Sequence, residues 1–177
     1  MQPIQTARLL IRRIEDADLP FLVTLLGDAT AMAYWPRPYT PVEAGQWVQQ
    51  QRERYASHGF GYWTAVEAAG GEPVGQVGVL PHHFNGRDEV GLGWIIAPSH
   101  WRRGLAAEAG AACIGWALAH TQAERIVALI RPENTPSAGV AQKLGLVRGE
   151  QVVHHTFPHD VWYHTRRPGS LASPHDA

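Results

Sequence analysis

The residues most legible as chemistry run from Trp94 to Glu108, Trp-Ile-Ile-Ala-Pro-Ser-His-Trp-Arg-Arg-Gly-Leu-Ala-Ala-Glu. Trp94, Ile95 and Ile96 have the character of a strand end, Pro98 stops that strand, and an Ala-rich helical run begins after Gly104. Such a joint leaves several N–H groups at the helix start unpaired and pointing one way. The helix dipole adds partial positive charge to them. Arg102 and Arg103 supply forked donors suited to phosphate oxygens, while Gly104 and Ala106 let a bulky group approach the backbone. The chemistry this spacing supports is anion binding, a cradle over residues 102–106 for the phosphates of a large cofactor. The same residues also make an ordinary strand–loop–helix joint with two solvated arginines.

Other reactive residue types carry weaker signals. Cys113 is the only cysteine, so no internal disulfide can form, and its Ala-rich surroundings suit a small buried thiol better than a nucleophile. His154, His155, His159 and His164 fall on one predicted hairpin, but no carboxylate or cysteine spacing accompanies them, and no metal is expected. Gly91-Leu92-Gly93 lacks the third glycine of a dinucleotide fingerprint and lies inside a strand. No Walker loop, His-Glu-x-x-His or Gly-x-Ser-x-Gly motif is present.

The elements that must position these residues follow from periodicity and punctuation. Residues 8–14 read as a first strand. Asp16 and Asp18 offer N-caps for a helix to about Leu26. Thr40-Pro41-Val42-Glu43 is a capping box with proline at the first helical position, starting a helix to about Ser57. Residues 60–68 and 73–80 read as strands around Ala69-Gly70-Gly71-Glu72. Asn85-Gly86 is a hairpin signal leading into a strand over about 88–96. The glycine-opened helix spans about Leu105–His120, with Leu105, Ala109, Ala112, Cys113 and Trp116 on one face. A strand over 125–131, a helix from Pro136 to about Leu144 capped by Asn134 or Thr135, and a closing hairpin over 147–156 and 160–166 complete the order. This is a single α/β (α+β) domain with a mixed sheet over residues 1–167. The Pro-, Ser- and Gly-rich segment 168–177 is expected to be a disordered tail.

Composition narrows the function classes. The chain has 177 residues, is 45% hydrophobic and 18% charged, and has a formal net charge of −1, which is ordinary for a globular protein and offers no basic surplus for nucleic acid or membrane. No apolar signal core opens the chain and no run approaches the roughly 18 apolar residues of a membrane span, so a cytoplasmic protein is expected.

Taken in order, several segments resemble the GCN5-related N-acetyltransferase (GNAT) superfamily, and within it the RimJ/RimL-like branch of ribosomal-protein alanine acetyltransferases. They are Thr6-Ala7-Arg8-Leu9-Leu10-Ile11-Arg12 with Asp16-Ala17-Asp18, Glu89 to Trp94, Pro98 to Glu108, and Asn134-Thr135-Pro136-Ser137 followed by Lys143-Leu144-Gly145-Leu146. Trp101 stands where the superfamily loop usually has Gln or Arg, as is frequent in this branch. Ala141 stands where many relatives carry a tyrosine that protonates the leaving thiolate. The resemblance implies the GNAT fold and acetyl-CoA as donor to an amine, either a protein N-terminus or a small molecule, in a monomer or homodimer. Its pyrophosphate would lie on the N–H groups of Arg102, Arg103, Gly104, Leu105 and Ala106. Its pantetheine arm would pair with the backbone of Ile95, Ile96 and Ala97, with Asn134 touching the arm. Loss of the tyrosine also fits a non-catalytic acyl-CoA-binding module of the same fold.

An amine attacks a thioester only when neutral, and alkyl amines are mostly protonated at pH 7, so a general base helps. Glu89, on the strand carrying the cofactor-binding backbone, is the leading candidate; it reads equally as a surface carboxylate at a hairpin end. His82 and His83, near the same hairpin, titrate in a useful range and read otherwise as loop residues. Ser137 lies one turn before Ala141 on the same helix face and can donate to the leaving thiolate, or satisfy its own helix backbone instead. Trp35 and Tyr39, in the link between the first two helices, and Phe157, in the closing turn, are expected to flank the acceptor; a lid over the sheet is the alternative for Trp35.

Overall fold

The computed structural model describes residues 1–154 and 156–165. Its strands are β1 (Ile4–Gln5), β2 (Leu9–Arg12), β3 (Tyr62–Glu67), β4 (Pro73–Phe84), β5 (Arg87–Ile96), β6 (Arg125–Ile130), β7 (Val147–His154) and β8 (Phe157–Thr165). Its helices are α1 (Leu19–Gly27), α2 (Pro41–Ser57), α3 (Leu105–His120) and α4 (Thr135–Lys143), with single turns at Asp16–Asp18 and Pro98–His100. The expected tail over 168–177 and the hairpin residue His155 lie outside the described residues. Among the described residues no helix is long and apolar enough to cross a membrane.

Local chemistry sets most boundaries. Thr40 Oγ1 accepts from the Glu43 N–H at 3.3 Å and the Glu43 carboxylate accepts from the Thr40 N–H at 2.8 Å, the reciprocal bonds of a capping box that starts α2. Arg37 holds the same carboxylate, and with the Thr40 bonds it pulls Glu43 down to about 2. Asn85 and Gly86 both take positive φ, 51° and 70°, the turn whose twist matches the strands it joins. Asn134 caps α4 by accepting from the Ser137 N–H at 3.1 Å.

The strands form one sheet in the order β1-β2-β3-β4-β5-β6-β8-β7. Among the described residues only β5 and β6 pair in parallel, and α3 is the crossover that such a pair requires. One face packs on α3 and α4, where Trp63, Val77, Val79, Leu92, Ile126 and Ala128 meet Leu105, Ala109, Cys113 and Ala141. The other packs on α1 and α2, where Tyr62, Leu80 and Ile95 meet Leu22, Leu25, Leu26, Trp47 and Val48. Cys113 is fully buried and burial pushes its thiol up, so it remains a protonated core residue.

Several features differ from the sequence reading, among them the short β1 and the end of β2 at Arg12. β4 continues through His82 and His83 to Phe84, because their backbones pair with Arg87, Asp88 and Glu89 whatever the polarity of the side chains. β8 begins at Phe157, three residues earlier than expected. Asp18 does not cap α1 with its side chain. It is buried and accepts from Arg12 at 2.7 and 2.9 Å, from Thr64 Oγ1 at 2.8 Å and from the Glu15 N–H at 2.9 Å. Burial opposes ionisation of this carboxyl, but these donors outweigh it and hold its pKa below the usual range.

Candidate active site

The site is built around a split in the sheet. β5 and β6 pair at Val90↔Ile126 and Gly91↔Val127, and no pair continues past Gly91 among the described residues. On the opposite edge β5 stays paired with β4 as far as Ile96↔Gly75, and the Ala97 N–H donates to Val74 O at 2.9 Å. Antiparallel pairing alternates, so the backbone groups of Ile95 and Ala97 face β4, while those of Trp94 and Ile96 face the opening gap. The Ile96 carbonyl accepts from the Trp101 indole at 2.6 Å. The expected set of Ile95, Ile96 and Ala97 is thus divided between the two edges of β5. Of Ile95, Ile96 and Ala97, only Ile96 turns its N–H to the gap, and Trp94, absent from that set, joins it.

The gap opens toward the turn before α3. Gly104 is the N-cap at φ 80° with no side-chain cap, and Arg102 also has positive φ, 60°. The N–H groups of Leu105, Ala106 and Ala107 are thus left at a free helix N-terminus. Arg103 donates to Glu67 at 2.7 Å. Arg8, from β1–β2, donates to Arg103 O at 2.8 Å, and its guanidinium lies 3.5 Å from where a Cβ on Gly104 would be. Arg8 also binds Glu108, which accepts from Thr6 as well. Burial raises the Glu108 carboxyl, but those bonds prevail and keep it below the usual range. Arg8 and Arg103 therefore meet beside this turn, each paired with a carboxylate, Glu108 and Glu67. Arg8 was missed as a cradle residue because its approach crosses nearly a hundred residues of chain.

The sheet face that packs on α1 and α2 carries Trp35, Tyr39, Trp47 and Tyr62. Trp35 lies 5.5 Å from Trp47 and 6.0 Å from Tyr39, ring to ring, and Trp47 lies 5.2 Å from Tyr62. The Tyr62 ring reaches across β4 onto β5, where a Cβ on Gly93 would stand 2.1 Å from its hydroxyl. Burial holds the Tyr62 phenol well above its ordinary range, so it stays a donor. Phe157 meets this region through Arg131, whose guanidinium lies 4.4 Å from the Phe157 ring and donates to Tyr34 O at 3.4 Å. The helix link and the closing turn are thus joined by one arginine that the sequence reading did not single out.

Glu89 lies behind the split, where β5 and β6 are still joined. It is buried, and both carboxylate oxygens accept from Arg125 Nε at 3.1 Å, with a further bond from the Arg125 amino group. A cavity of about 470 Å³ lined by Arg87, Asp88, Gln122, Ala123 and these two residues opens at this end. It is at the far end of β5 from the cradle.

With this geometry in hand, a family model described as an acetyltransferase (GNAT) domain matches residues 8–147. The chain belongs to the GNAT acetyltransferase family. It is 31% identical over 142 residues, 80% of this chain and 83% of the relative, to the uncharacterized protein YkkB of Bacillus subtilis. Its fold matches an acetyltransferase from Agrobacterium tumefaciens with a TM-score of 0.80 at 23% identity, covering 94% and 95% of the two chains. It also matches RimL, a ribosomal L7/L12 alpha-N-protein acetyltransferase solved with coenzyme A, with a TM-score of 0.73 at 16% identity over 93% and 98%.

In this N-acetyltransferase, α4 brings Asn134 and Ser137 to the α3 side of the sheet. The Asn134 side-chain oxygen is spent on the helix cap, leaving its amide nitrogen as the group able to meet a cofactor arm. Ser137 is half-buried on the first turn. Ala141 is fully buried in the core, and its carbonyl accepts from the Leu146 N–H at 3.0 Å. A tyrosine at 141 would have to open that core.

Proposed function

We propose that the protein transfers the acetyl group of acetyl-CoA to a primary amine, a protein N-terminus or a small molecule, by direct attack in a ternary complex. The observation that carries this reading is the split between β5 and β6. Backbone groups of Trp94 and Ile96 face into it, an anion cradle lies at one mouth, and an aromatic wall of Trp35, Tyr39 and Trp47 lines the other face. In this reading the pyrophosphate rests on residues 102–106 with Arg8 beside them, and the pantetheine amides pair along Trp94 and Ile96. The thioester then reaches through the split toward the aromatic wall. Holding amine and thioester together supplies much of the rate before any proton moves.

Ser137 would donate to the sulfur as the carbon–sulfur bond breaks. Glu89 would take part in proton transfer only through an intervening group, since Arg125 engages both its oxygens. Trp35, Tyr39 and Phe157 present aromatic surface, and the charge resting on Phe157 is the cationic Arg131, which suits an amine with an apolar neighbour better than a polycation. The test is release of free thiol from acetyl-CoA in the presence of a panel of N-terminal peptides, small primary amines and polycationic aminoglycosides, with products identified by mass. Acetylated peptides or small amines are expected. Absence of acetylated product with every amine would refute the activity, and preference for the polycations would refute the acceptor class.

A further inference from the structure

β5 carries glycine at two successive positions of the face that looks toward α1 and α2, and side chains from neighbouring strands take the space. At Gly93 the occupant is the Tyr62 hydroxyl; at Gly91 it is an imidazole. A Cβ on Gly91 would lie 2.0 Å from His82 Cδ2 and 2.5 Å from His82 Nε2. His82 stands opposite Glu89, and Gly91 stands opposite Leu80. The ring therefore leans two residues forward from its own partner and lies directly on β5. Gly91 is also the last β5 residue paired with β6. The imidazole thus sits at the apex of the split, on the acceptor face, where the sequence supplies no side chain from β5 itself.

We infer that His82 Nε2 is the general base of acetyl transfer, an inference that rests on the amine acetylation proposed above. As the amine nitrogen bonds to the thioester carbon, Nε2 accepts its proton. The carbon–sulfur bond then breaks and the sulfur leaves as thiol, the proton reaching it from the imidazolium or through Ser137. One carbon–nitrogen bond replaces one carbon–sulfur bond, one proton moves from nitrogen to sulfur, and nothing is oxidised or reduced. Imidazole is the side chain whose ordinary titration range suits this task near neutral pH.

Among the described residues, the charged and titratable groups on this side include Glu89 across the strand pair, its partner Arg125 from β6, His154 of β7 with its ring 5.5 Å from His82, and His159 of β8, 5.6 Å from His154. His83 points to the other face, exposed, against Asp88 at 2.7 Å.

The experiment compares the wild-type enzyme with His82→Gln, using acetyl-CoA and the amine best acetylated in the panel. We expect kcat to fall about 100-fold or more at pH 7, with acetyl-CoA affinity by calorimetry within twofold of wild type. The wild-type rise of kcat with pH through the imidazole range should vanish, and added imidazole should restore part of the rate to His82→Ala. Gly91→Ala is the independent variant, because its methyl must evict the ring; it should show the same loss of kcat even if the His82 variants fail to fold. Retention of most of kcat and of the wild-type pH profile in either His82→Gln or Gly91→Ala would overturn the assignment. A wild-type protein that acetylates no amine removes the activity itself, and the base with it; that result is distinct from an active enzyme indifferent to His82.

Discussion

Replacing Gly104 with valine tests the cradle by two effects that can be measured separately. The first is strain. Gly104 sits at φ 80°, in the left-handed region, where a residue with a Cβ costs about 1–2 kcal/mol. The added Cβ would meet only Arg8, at an ordinary 3.5 Å, so the Cβ itself adds no clash, and β-branching makes this figure a lower bound. In a chain of this size that loss lowers Tm by about 2–8 °C. The second effect is on binding. The γ-methyl groups would stand over the free N–H groups of Leu105, Ala106 and Ala107. Hydrogen bonds to a charged group contribute about 1.5–3 kcal/mol each, so losing two at the lower end removes about 3 kcal/mol, or about 100-fold in affinity. Gly104→Ala should carry much of the strain with less of the intrusion, which separates the two effects. The assay is calorimetric titration with acetyl-CoA beside a thermal melt of each variant. A folded Gly104→Val protein that binds acetyl-CoA as tightly as wild type would refute the cradle, and with it the course of the cofactor through the split.

Trp35→Ala should raise the acceptor KM about tenfold or more while leaving the acetyl-CoA KM within twofold, since Trp35 lies on the wall away from the cradle; equal changes in both constants would reassign it to the fold. Ser137→Ala should lower kcat with acetyl-CoA affinity unchanged, and wild-type kcat in that variant would leave positioning and the base as the sources of rate. Asp18→Asn should cost about 3 kcal/mol at pH 7 by leaving Arg12 without its buried partner, measured by urea unfolding. The folded Asp18 carboxyl titrates below its unfolded value, so its contribution is complete above about pH 4 and is lost as pH falls through the lower folded pKa. The gap between wild type and variant should therefore close in acid, and a gap independent of pH would show that the Arg12–Asp18 pair is not its source.

The sequence alone determined the features that are local. Gly104 after Arg102 and Arg103 specified a helix with a bare N-terminus, Thr40 and Glu43 specified the start of α2, and Asn85-Gly86 specified the β4–β5 turn, because each depends on neighbours within a few residues. The order of segments from Thr6 to Leu146 was enough to suggest the family. Tertiary structure decided what depends on pairing. Whether Ile95 or Ile96 faces the split is set by the register of β5 against β4, and a one-residue change in register exchanges the two. Arg8 reaches the cradle and Arg131 joins the helix link to the closing turn only because distant strands become neighbours. Glu89 looked like an open carboxylate until β6 brought Arg125 against it. His82 looked like a loop residue until its strand was paired and Gly91, two residues beyond its partner, gave its ring a seat. A sequence records that Gly91 and Gly93 have no side chains; only the folded sheet decides which neighbours fill the space they leave.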